Sequence, residues 1–113
     1  MSAFSNIDIS AALQQVLTAF SQNAGVAISA TALVQHQFSQ YIEDLENLQD
    51  SINDGTVSPA LAQNVVDSEK ASLDAAIQAA TGLRLVAVQN AVNTALKVLE
   101  QILGTALSSA LKL

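Results

Sequence analysis

Apolar side chains recur every three or four residues along most of this chain. In the first half Leu17, Phe20, Ala24, Ala27, Thr31, Val34, Phe38, Ile42, Leu45, Leu48 and Ile52 form one such series. Its ten steps cover thirty-five positions, an average of 3.5, the period of a coiled-coil seam. In the second half Leu85, Val88, Val92, Leu96, Leu99, Leu103, Leu107 and Ala110 repeat the spacing. The residues between them are rich in Ala, Leu, Gln and Glu, which are good helix formers.

The strong break lies in "SINDGTVSPAL", which holds the only proline, Pro59, and Gly55 four residues before it. Asn53-Asp54-Gly55 reads as a helix C-terminus with Gly55 in the left-handed position, and Ser58-Pro59 as an N-cap with proline at the first helical position. The expected fold is all-α: a helical hairpin of two long antiparallel helices joined by a turn near residues 53–58. Arm 1 is expected over about 7–53, the turn over 54–58 and arm 2 over about 59–111. An uninterrupted arm of about 45 residues would be about 65–70 Å long. Gly25 and Gly82 are the weak points, and antiparallel pairing about the turn brings them near one level, where they permit close approach or a shared kink.

Half the 113 residues are apolar, but only 4% are aromatic, so the core is built from Ala, Leu and Val and suits closely packed helices. Arm 2 carries more apolar surface than one partner helix can cover, because Val86, Val98, Ile102, Ala106, Leu111 and Leu113 flank its seam. That surplus predicts a second contact. The residues expected at an interface are Phe20, Ala24, Ile28, Thr31, Val34, Phe38, Leu85, Val88, Val92, Leu96, Leu99 and Leu103.

Charge is unevenly spread. Eight of the ten acidic residues lie between Glu43 and Asp74, whereas Ile9 to Ile42 holds none and no basic residue either. On a straight hairpin this gathers the carboxylates at the turn end and leaves the open end neutral, so the rod is expected to be polarised along its axis. A neutral surface lined with Gln, Asn, Ser and Thr suits burial between subunits, where such groups pair without the desolvation cost of ions. The net charge of −6 and the four basic residues argue against nucleic acid, which needs clustered Lys and Arg.

Chemistry-bearing patterns are sparse. No cysteine is present, and His36 is the only histidine, set among Gln35, Gln37 and Gln40, where a polar interface role is expected. Glu46, Asp50 and Asp54 share a helix face, read as a solvated one. The turn approximates a calcium loop at Asp50, Asp54 and Gly55 but has Ile52 and Leu61 where oxygen ligands are required. No catalytic, cofactor-binding or metal site is expected, and the chain reads as non-enzymatic. "MSAFSNIDIS" lacks the basic residues of a secretory leader, and the apolar runs fall short of the roughly 20 residues a membrane span needs. The expected location is cytoplasmic, or exported without a cleaved signal.

The stretch "EKASLDAAIQAATGLRLVAV", Glu69 to Val88, resembles the C-terminal helix of flagellar rod-adaptor and type III secretion inner-rod subunits. The hairpin as a whole is similar to the Trp-x-Gly class of small secretion substrates, with Asn53-Asp54-Gly55 at the turn in place of their motif. Both resemblances imply a small, helical, assembly-prone chain. The first functional expectation is therefore a structural subunit whose partners are copies of itself, in an oligomer, tube, sheet or filament. The second is an amphipathic protein on a membrane surface, and the third a helical adaptor or secreted substrate that binds a partner helix.

Overall fold

Each arm of the expected hairpin is broken once, near its middle. The computed structural model describes residues 3–25 and 32–113, and these are all-helical. Four helices follow in order: α1 (Ile9–Ala24), α2 (Ala32–Asn53), α3 (Pro59–Thr81) and α4 (Leu85–Leu103), with a short 3₁₀ turn over Gly104–Ala106. The two long helices of the sequence reading are thus corrected to four shorter ones.

Local chemistry sets the breaks. The Asp8 carboxylate accepts from the Ala11 N–H at 3.1 Å and starts α1. Gly25 and Gly82 both adopt φ +71°, and their N–H groups donate to the Ser21 and Gln78 carbonyls, closing α1 and α3. That left-handed conformation disfavours any side chain with a Cβ, so both weak points become helix ends. Glu69 to Val88 is accordingly two helices, with Gly82 between them.

The turn between α2 and α3 lies where the sequence places it. Gly55 has φ +77°. Its N–H donates to the Ile52 carbonyl and that of Thr56 to the Ser51 carbonyl, the paired bonds of a Schellman motif. Ser58 then caps α3 by accepting from the Leu61 N–H at 3.2 Å, with Pro59 behind it.

α1 packs chiefly on α4 and α2 chiefly on α3, which are the partners a hairpin would give them. Further contacts of α1 with α2 and of α3 with α4 show the hairpin doubled back on itself. The result is an antiparallel four-helix bundle of 40 × 26 × 19 Å, far shorter than a straight hairpin. Gly104 ends α4 at Leu103, so arm 2 is not helical to about 111. The last ten residues instead turn back over the α2–α3 end.

Doubling back covers part of the apolar surplus: Leu111 is buried and Val98, Ile102, Ala106 and Leu113 are half-buried, but Val86 stays 67% exposed. α4 now meets two neighbours, and Val88, Ala91, Val92, Ala95, Leu96, Leu99 and Leu103 are all buried. Phe20 and Phe38 meet edge-on at the centre, their rings 5.6 Å apart. Phe4, Leu107 and Leu111 seal the turn end. There the backbone of the terminal segments is held by side chains. Ala3 and Phe4 donate to the Asp50 and Glu46 carboxylates. Ser108 donates to the buried Gln49 amide, and the Gln63 amide both donates to and accepts from Lys112.

Candidate functional site

The residues expected at an interface are mostly consumed inside the chain. Phe20, Val34, Phe38, Val88, Val92, Leu96, Leu99 and Leu103 are buried core, and Ala24 is half-buried. Only Leu85 is exposed, and Ile28 and Thr31 lie outside the described residues. A seam spacing reports burial without saying which chain supplies the cover. The surface open to a partner is the outward side of each helix.

Those outward sides differ sharply. On α1 they comprise Ser10, Ala11, Gln14, Gln15, Thr18, Gln22 and Asn23, and on α4 Gln89, Asn90, Asn93, Thr94, Lys97 and Gln101. Gln14, Gln15, Thr18, Ala19, Gln22 and Val98 line a shallow groove of about 340 Å³ between the two helices. Within α1 and α4 Lys97 is the one exposed charge, with Asp8 and Arg84 exposed at their N-caps; Glu100 is half-buried and accepts from the Leu113 N–H at 3.3 Å. The α2·α3 layer opposite holds Glu43, Asp44, Glu46, Asp50, Asp67, Glu69 and Asp74 against Lys70 alone. The expected polarity along the axis is thereby corrected. Doubling the hairpin at Gly25 and Gly82 turns an end-to-end asymmetry into a front-to-back one.

A small cavity of about 50 Å³ lies in the acidic layer, lined by Gln37, Gln40 and Tyr41 of α2 and Glu69, Ser72 and Leu73 of α3. Tyr41 is only 3% exposed, and its hydroxyl has no hydrogen-bond partner among the described residues. Burial, with Glu100, Glu69, Asp67 and Asp74 around it, pushes the phenol well above its ordinary range, so the hydroxyl stays neutral. Glu69 is pushed up by partial burial, then by the adjacent Asp44 carboxylate, to which it hydrogen bonds when protonated. The Gln40 amide donates to Asp44 at 3.2 Å from the other side. Asp74, also buried, is pushed up by desolvation despite Lys70, and its Oδ1 is unpartnered among the described residues. No group of His, Cys, Asp and Glu side chains among the described residues converges as metal ligands do. His36 is exposed on α2, apart from the cavity lining.

The Tyr41 cavity escaped sequence reading because α2 and α3 build it jointly. Reflecting the chain about residue 56 would have placed Asp44 opposite Ser68, next to Glu69. Among the described residues no helix is long and apolar enough to cross a membrane. Comparison with protein-family models, with characterised proteins and with solved structures finds no match to this chain.

Proposed function

We propose that the chain is a non-enzymatic structural subunit that associates with copies of itself through the neutral outward face of α1 and α4. The observation that carries this reading is the near absence of exposed charge over that face. A lone solvated protein of net charge −6 ordinarily spreads charge over all its faces. Gln, Asn and Thr side chains donate and accept equally, so such a face meets another surface without leaving ions unpaired. An association that needs no large apolar patch agrees with the core having absorbed the apolar seam.

Light scattering after size-exclusion chromatography, over a concentration series, tests the reading. The parent should form species heavier than one chain. Thr18→Lys, placed in the α1–α4 groove, should lower that mass with the helical circular dichroism unchanged. A parent that stays monomeric at every concentration would overturn the proposal. A second reading, docking on a membrane surface, draws on Leu33, Leu85 and Val86, which are exposed at helix starts near the Gly25 and Gly82 end. Co-sedimentation with vesicles separates it from self-association.

A further inference from the structure

The apolar pattern of α4 outlasts the helix. Leu99, Leu103, Leu107 and Leu111 keep a four-residue step, which suits a helix running on to Leu111. Instead Gly104 takes φ +51° and ψ −124°, and the chain turns back across the α2–α3 end. We propose that this terminal segment exchanges between copies: residues 107–113 of one chain dock in the α2–α3 groove of a second, which returns its own segment, forming a reciprocal dimer. The contact is separate from the α1–α4 face.

The groove holds main chain rather than particular polar side chains. Gln49 is only 3% exposed, and its Nε2 donates to Asn53 Oδ1 at 3.0 Å. That orients its Oε1 to accept from the Ser108 N–H at 2.8 Å. Gln63 meets Lys112 as one peptide group meets another. Its Nε2 donates to the Lys112 carbonyl and its Oε1 accepts from the Lys112 N–H, both at 2.8 Å. Leu107 and Leu111 are buried in the core between these two clasps. None of these contacts uses the tether at Gly104, so the same segment from another chain makes every one of them.

Gly104 is the hinge. Its backbone lies in a region that glycine enters freely and residues with a Cβ do not. Straightening it into a further turn of α4 carries the segment off its own bundle. The nine residues beyond Gly104 then reach at most about 30 Å. Exit point and groove lie at the same end of the bundle, so two bundles meeting there complete both exchanges and the dimer closes. Closed and exchanged forms share the segment's contacts. They differ in the hinge and in the concentration the tether supplies, on the order of millimolar for a short linker.

Gly104→Ala tests the exchange, because a Cβ there meets nothing within 4 Å and acts through the backbone alone. It strains the bent hinge and favours the straight one. The dimerisation constant should rise by about tenfold per hinge, and so by about a hundredfold for the pair. Light scattering at up to about 1 mM protein reads that constant. Carrying Thr18→Lys in every sample removes association through α1 and α4, so that either reading can fail without the other. In dimers prepared from mixed ¹⁵N- and ¹³C-labelled chains, magnetisation should pass between the Gln63 side-chain amide of one copy and Lys112 of the other. Leu111→Asp should abolish the dimer; Leu111→Ala should weaken it, and melting curves for both separate a lost anchor from a lost fold. A Gly104→Ala chain that dimerises no better than its parent, or a dimer without transfer between differently labelled chains, would overturn the exchange and leave the α1–α4 reading untouched.

Discussion

Gly82→Ala isolates the device that folds the hairpin in two. Gly82 sits at φ +71°, and a Cβ built there meets nothing within 4 Å, so the substitution introduces backbone strain without a clash. Holding an L-residue in that conformation costs about 1–2 kcal/mol. Alanine also favours a continuous helix by about 1 kcal/mol over glycine, so the balance between broken and straight arms moves by roughly 2–3 kcal/mol. For a domain of this size, the strain alone should lower the melting temperature by roughly 3–8 °C. Gly82→Asn should lose less, because Asn tolerates the left-handed region. Small-angle scattering reads the shape. The bundle has a radius of gyration of 13.7 Å, whereas a straight hairpin about 67 Å long would approach about 20 Å. Replacing Gly25 as well should push the ensemble towards the longer form. If Gly82→Ala melts with the parent and keeps its radius, the glycine conformation does not hold the break, and packing of α4 against α3 alone enforces it.

Phe38 is fully buried against Phe20, so Phe38→Ala should cost roughly 3–5 kcal/mol, measured by urea unfolding. Gln49→Ala removes the acceptor for the Ser108 N–H and should cost about 1–3 kcal/mol, with faster amide exchange over residues 107–111 as its signature. The Glu69 and Asp74 carboxyls both bind protons more tightly folded than unfolded. Their contribution is therefore greatest below the ordinary carboxyl range and declines as pH rises through their folded values. Melting temperature should accordingly rise as pH falls from neutral through the raised folded range to the ordinary carboxyl range, and Asp74→Asn should flatten that slope.

The turn was legible because its signals are local: Gly55, Ser58 and Pro59 each act through their own backbone. The helical periodicity was equally plain, and Leu17, Val34, Phe38, Leu96 and Leu103 are core as the spacing implies. Gly25 and Gly82 stood out, but nothing nearby in sequence decides between a kink and a reversal. That depends on whether the wide apolar face of α4 is covered by its own chain or by another, a competition between distant segments. Gly104 was missed for a different reason. Leu107 and Leu111 continue the four-residue step, although the backbone there has left the helix and reaches the same core by a turn. Spacing alone reads both as helix.

The reversal also changes what must drive any association. A straight hairpin would expose the α4 stripe and join copies by apolar burial, largely indifferent to salt. In the bundle that stripe is covered, and the exposed large apolar residues are Leu33, Leu61, Val65, Leu85 and Val86. What the proposed association would bring between copies is chiefly the neutral amide face of α1 and α4, whose hydrogen-bonding groups carry no charge for salt to screen. Acid should act on the fold instead, because protonating Glu69 relieves its repulsion with Asp44 and steadies the layer between α2 and α3. A bundle that melts higher on acidification while its assemblies keep their size would place the effect on that carboxyl pair and not on the face between copies.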